Sequence, residues 1–214
     1  MTNETEDRAW HPEVIGASTA DTLRQLRAAP LAETFYLAGG TGLALQLGHR
    51  ISHDLDFFSP DLFDEELLLQ SIQTLPEFSL SSKAPHTLHA TAQGTKVSFL
   101  GYVYPILFPF VRFMNVPVAD ARDIACMKIS AIAGRGTRRD FVDLHVLAQH
   151  FGLGELLQLF ERKYARAGYS RVHVLKSLTY FEDAEKDPMP NMLIPVAWDA
   201  VKRTLLGEVP KLLG

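Results

Sequence analysis

The sequence predicts a mixed α+β chain, and three observations predict it. Short β-type runs alternate with helical ones as far as Ala119. Every regular segment after that point has the 3.6-residue period of a helix. The composition, 47% apolar and 21% charged over 214 residues, is ordinary globular usage and is enough for a real core. We therefore expect a sheet-bearing unit over residues 1–119 and a helical one over residues 120–214.

The elements follow in order. "STADTLRQLRAAP" reads as a helix capped by Ser18 or Thr19 and closed by Pro30. "TFYLA" reads as a strand that runs into Gly39-Gly40, and "TGLALQL" has helical spacing. "DLDFF" alternates and reads as a strand. "DEELLLQSIQTL" is an amphipathic helix ended by Pro76. "FSLSS", "TLHATA" and "TKVSFLGY" are β-type, the last two joined by Gln93-Gly94, a hairpin-like turn. "YVYPILFPFVRF" reads as hydrophobic packing, with base stacking as the functional alternative for Tyr102 and Tyr104, and "MNVPVA" as a short strand. Five helical runs then begin at "DARDIACMKISAIA", "TRRDFVDLHVLAQH", "LGELLQLFERKYARA", "SRVHVLKSLTYF" and "PVAWDAVKRTLL", with a loop over "EDAEKDPMPNMLIP".

Composition excludes several classes. A formal charge of −4 gives no global basic field for nucleic acid, so any such contact needs a local patch. Arg135, Arg138 and Arg139 are the compact basic cluster, for phosphates or for a solvated helix start. One cysteine, Cys126, excludes an internal disulfide and a cysteine zinc site, and fits a reducing compartment. The start "MTNETEDRAW" is wrong for a signal peptide. The longest apolar run carries Pro105 and Pro109 and is no membrane span. We expect a cytoplasmic protein.

Asp54 and Asp56 carry the chemistry. At i and i+2 of a strand they project from one face. Two adjacent carboxylates repel unless a cation intervenes, and Mg²⁺ is held by one or two carboxylates plus substrate phosphates. A solvated strand end is the bland alternative. Upstream, Gly39-Gly40-Thr41 follow a strand and open a helix, where free N–H groups and the helix dipole favour phosphate. A single short helix joins this turn to the acids, so both return to one sheet edge. His49 and His53 have a zinc-like spacing but sit where helix gives way to strand. His86, His89, His145 and His150 read as surface or half-buried side chains.

The stretch "LAGGTGLALQLGHRISHDLDFF" resembles the nucleotidyltransferase (polymerase-beta-like) superfamily and, more closely, its AbiEii/AbiGii toxin family. Arg50, Ser52, Asp54 and Asp56 match that family's Arg-x-Ser and Asp-Leu-Asp-Phe-Phe positions. "KISAIAGRGTRRDFVDL" resembles its downstream Lys…Arg-Asp-Phe-x-Asp-Leu block, and the resemblance spans about Thr34 to Leu147. It implies a minimal nucleotidyltransferase fold followed by a helical bundle. It implies a Mg²⁺- or Mn²⁺-dependent transfer of a nucleoside monophosphate from an NTP to an acceptor. It further implies the toxin of a toxin–antitoxin or phage-defence pair, with tRNA as acceptor and a cognate antitoxin as partner. Gly39, Gly40, Thr41, Arg50, Ser52 and Lys128 are then nucleotide-binding, Asp54 and Asp56 metal-binding and catalytic, and Asp140 the general base with Asp143 beside it.

One position departs from the superfamily. A third acid is expected on a later strand, and "TKVSFLGY" offers Ser98 there, with Lys96 on the same face as a phosphate contact or a snorkelling side chain. The serine keeps a rival open, a degenerate member that binds nucleotide or a partner protein without catalysis. For Lys128, Asp140 and Asp143, helix–helix ion pairing is the alternative to a functional role.

Overall fold

The computed structural model describes residues 9–29 and 34–212, which form two compact units divided after Asp120. Pro30, expected to close the first helix, and the acidic start through Arg8 lie outside the described residues.

The first unit is built on a seven-stranded mixed sheet. Its strands are β1 (Tyr36–Leu37), β2 (Leu55–Ser59), β3 (Ser79–Ala84), β4 (Thr87–Ala92), β5 (Thr95–Gly101), β6 (Val111–Phe113) and β7 (Val116–Val118), in the spatial order β3-β4-β5-β2-β1-β7-β6. β2 runs parallel to β5 and antiparallel to β1. Among the described residues this unit has the α-helices α1 (Ala17–Ala28), α2 (Gly39–Leu47) and α3 (Glu65–Ile72). One sheet face carries Leu55, Phe57, Leu88, Ala90, Val97 and Phe99, and these join Leu23 and Leu26 of α1 and Leu68 and Ile72 of α3 in a single apolar core. The alternate residues of β4 and β5, among them His89, Lys96 and Ser98, therefore project from the other face.

Two local details differ from expectation. α1 is capped by Gly16, because the Ser18 hydroxyl donates to the Gln93 carbonyl and Thr19 faces Thr95, so both tie the helix to the sheet. β6 was not expected, and "MNVPVA" does not start a strand at Met114. Met114 and Asn115, at φ 51° and 64°, form the two-residue turn of a β6–β7 hairpin. Gln93 and Gly94, at φ 49° and 73°, make the same kind of turn between β4 and β5, as the Gln-Gly pair predicts.

The second unit is helical: α4 (Ala121–Arg135), α5 (Arg138–Phe151), α6 (Leu153–Lys163), α7 (Arg171–Ser177) and α8 (Trp198–Glu208). α4 packs against α5, α6 and α7, and α8 packs on α5. The buried pair Lys163–Asp123, at 2.7 Å with both side chains fully enclosed, joins α6 to α4. Among the described residues, no helix is long and apolar enough to cross a membrane.

Candidate active site

In the first unit the glycine turn, α2 and the Asp-x-Asp strand form one construction. The Ala38 N–H donates to the Asp56 carbonyl at 3.0 Å, so the residue before the glycines is pinned to β2. Gly39 follows at φ 60°, a conformation that is cheap only without a Cβ. A Cβ there would stand 2.7 Å from Asp56 Oδ2, so the glycine also makes room for the carboxylate. The first N–H bonded within α2 belongs to Gly42, which donates to Ala38 O at 2.9 Å. The N–H groups of Gly39, Gly40 and Thr41 thus open the helix beside Asp56, where the helix dipole favours an anion.

Arg50, Ser52 and Thr41 brace this turn, and all three are buried. A Cβ on Gly40 would collide with the Arg50 guanidinium and come within 3.4 Å of Ser52 Oγ. Thr41 Oγ1 lies 2.7 Å from Ser52 Oγ, and it donates to the Asp54 carbonyl, which holds the start of β2 against α2. Arg50 also donates to the Ile51 carbonyl at 3.0 Å. Asp54 and Asp56 are half-buried. The donor chemistry suits a hard divalent cation: carboxylate oxygens next to a helix start, where an anion is favoured. His49 is buried, His53 is exposed, and neither lies on a helix, so the zinc-like spacing has no helical face.

The polar face extends sideways. Asp56 is the register partner of Ser98 across the parallel β2–β5 pair, and Ser98 is the register partner of His89 across β5–β4. His89 Nδ1 lies 3.1 Å from Ser98 Oγ. Ser98 thus stands directly beside Asp56 in the sheet. Along the same face the rings of Tyr36, Phe58, Tyr102 and Tyr104 succeed one another at centroid distances of 6.0, 5.4 and 5.0 Å, with Phe110 5.0 Å from Tyr36. These rings touch one another, but within Tyr102–Phe113 only Phe113 is buried, so the run lies largely at the surface rather than in the core.

In the second unit Lys128 lies between two carboxylates, 2.8 Å from Asp140 Oδ1 and 2.7 Å from Asp143 Oδ2. Burial works against the Lys128 charge, but Asp143 and Asp140 outweigh it and hold the pKa above the ordinary lysine value. Asp140 sits three residues into α5, and its other oxygen accepts from the Thr137 N–H at 3.1 Å and the Thr137 hydroxyl at 2.7 Å. Burial pushes the Asp140 carboxyl up, and the Lys128 charge with these hydrogen bonds outweighs it, leaving the pKa below the ordinary value. With three donors on its roughly four lone-pair sites, the ionised Asp140 keeps Lys128 charged and in place.

Arg138 is committed within the fold. It donates to the Ala184 and Glu185 carbonyls at 2.9 Å each, and its guanidinium lies 4.8 Å from the centre of the Trp198 ring. The basic cluster expected at this helix start therefore loses one of its three members to packing.

A glycine turn that opens a helix against an Asp-x-Asp strand, on a mixed sheet, is the construction of a nucleotidyltransferase fold. Known proteins agree. The family model described as nucleotidyl transferase AbiEii toxin, type IV toxin–antitoxin system, matches residues 21–212, and the chain belongs to that family. An uncharacterized protein of Aquifex aeolicus (strain VF5) is 35% identical over 199 residues, covering 90% of this chain and 95% of that one. Among solved structures, MenT4, a nucleotidyltransferase toxin from Mycobacterium tuberculosis H37Rv, superposes with a TM-score of 0.54 at 19% identity, over 91% of this chain and 86% of its own. That likeness is one of fold.

Proposed function

We propose that this protein transfers a nucleoside monophosphate from an NTP to an acceptor, with Mg²⁺ or Mn²⁺ as the metal, as the toxin partner of a cognate antitoxin. The observation that supports the reading best is the contact between Asp56 and Gly39 at the start of α2. It sets a carboxylate beside the N–H groups of a helix start, which is what a metal-bound triphosphate needs. In this reading the N–H groups of Gly39, Gly40 and Thr41 take phosphate oxygens. Arg50 and Ser52 hold the turn in shape, and the Arg50 guanidinium lends it positive charge. Asp54 and Asp56 hold the ion. The ion, when bound, neutralises charge that develops on the phosphates. In the second unit, Asp140 and Asp143 keep Lys128 ionised. The acceptor class is RNA, with tRNA the first to test.

The test uses α-labelled and γ-labelled NTPs in parallel, with Mg²⁺ and total tRNA. Nucleotidyl transfer moves the α-label to the RNA and leaves the γ-label in pyrophosphate. Transfer of the γ-label would make the protein a kinase. Binding of NTP with no transfer of either label would make it the degenerate, nucleotide-holding member that Ser98 admits.

A further inference from the structure

We propose that Ser98 and His89 form the proton-accepting side of the site, in the position where the superfamily places a third carboxylate. The proposal rests on the nucleotidyltransferase reading above.

The placement comes from register. Asp56, Ser98 and His89 occupy one row across three adjacent strands, on the face turned away from the apolar core. The glycine turn lies on the β1 side of β2, because Ala38 bonds the Asp56 carbonyl. Ser98 lies on the β5 side. A nucleotide bound at the turn therefore leaves the β5–β4 side of Asp56 for the acceptor. Serine is a weak proton acceptor alone, but its hydroxyl is not alone. His89 Nδ1 is within hydrogen-bond reach at 3.1 Å, and both side chains are half-buried. In the tautomer with its proton on Nε2, His89 accepts from Ser98 Oγ.

The step balances as follows. The acceptor hydroxyl oxygen forms a bond to the α-phosphorus, and the bond from the α-phosphorus to the bridging oxygen breaks, releasing pyrophosphate. The acceptor proton passes to Ser98 Oγ, and the Ser98 proton passes to Nδ1 of His89, which later returns it to water. Ser98 touches the acceptor, whereas His89 acts through Ser98 and is a positioning residue. This assignment puts a proton acceptor on the sheet itself, in the same row as Asp56.

The experiment measures single-turnover transfer from α-labelled NTPs to total tRNA, with Mg²⁺–NTP affinity measured separately by thermal shift. His89→Ala and Ser98→Ala should each lower kcat by about 10²-fold, with NTP affinity within about twofold of wild type. The double variant should fall no further, because the two side chains carry one proton path. Ser98→Asp places a carboxylate in the row, so His89→Ala added to Ser98→Asp should cost less than about threefold, whereas it costs about 10²-fold in the wild-type background. A structural role for His89 would lower stability in both backgrounds and give no such rescue. Thr91→Ala, on the same strand face, is the control and should leave turnover unchanged. Full activity in His89→Ala, alongside abolished activity in Asp56→Asn, overturns the relay and leaves the proposed function standing. An active Asp56→Asn, or a wild type that labels nothing, removes the reading beneath both.

Discussion

Replacing Gly39 by alanine tests the turn and the carboxylate together. The backbone there is left-handed at φ 60°, which costs an L-residue roughly 1–2 kcal/mol. For a chain of this size each kcal/mol lowers the unfolding midpoint by about 2–4 °C, so Gly39→Ala should lose about 2–8 °C. Gly94→Ala carries the same backbone cost, at φ 73°, but its Cβ meets nothing within 4 Å. Gly39→Ala should therefore lose at least as much stability as Gly94→Ala, and the two should part in function. Only at Gly39 does the new methyl stand 2.7 Å from Asp56 Oδ2, so the carboxylate must move. A ligand bound by the native state alone stabilises by about 2.7 kcal/mol at a hundredfold over Kd, a rise of about 5–11 °C. If displacement of Asp56 weakens Mg²⁺–NTP tenfold, the same concentration gives about 1.4 kcal/mol, roughly half the rise. Differential scanning fluorimetry with and without Mg²⁺–ATP, across all four NTPs, reads both quantities. An undiminished nucleotide shift in Gly39→Ala, equal to that of Gly94→Ala, would refute the idea that this turn and Asp56 share a ligand.

Three further outcomes concern the second unit. Lys163→Met leaves the fully buried Asp123 without its 2.7 Å partner and should cost about 3–5 kcal/mol in urea unfolding, while Asp123→Leu with Lys163→Met should recover most of it. Asp140, with its pKa lowered, contributes stability that is present above the unfolded carboxyl value and is lost as pH falls through the folded one. Lys128, with its pKa raised, contributes stability present below the unfolded lysine value and lost as pH rises through the folded one. His145, its pKa lowered by burial, adds a loss as pH falls through the unfolded histidine value, and Asp140→Asn should shrink the limb at lower pH; an unchanged acid limb would speak against the ion cluster. The Cys126 thiol, pushed up to about 12 by burial, then by the Asp123 charge, should resist a thiol reagent at pH 8 until the chain unfolds.

Much of the site was legible from local signals. The i, i+2 spacing of Asp54 and Asp56 and the glycines before α2 require only the strand and helix periods. The register of His89 against Ser98 was also within reach. A two-residue turn at Gln93-Gly94 pairs Ala92 with Thr95, and counting outward puts His89 opposite Ser98. Without that count, His89 reads as one surface or half-buried histidine among several. The pairing of Asp56 with Ser98 is of another kind, since a parallel pair is joined by a long connection and no turn sets its register. β6 escaped because Met114-Asn115 lacks the glycine that marks such turns. The state of Asp140 was out of reach as well. Its capping contact with Thr137 fits the sequence pattern Thr-x-x-Asp, but its tie to Lys128 depends on how α4 and α5 pack.

The proposed function turns on Asp54 and Asp56 holding the metal that a bound NTP requires. The direct measurement is Mn²⁺ binding followed by electron paramagnetic resonance, titrated with and without NTP, on the wild type and on Asp54→Asn with Asp56→Asn. The wild type should take up Mn²⁺ together with NTP, and the double variant should take up neither tightly while keeping its unfolding midpoint. Retention of NTP-dependent Mn²⁺ uptake by the double variant would place the metal elsewhere and contradict the account.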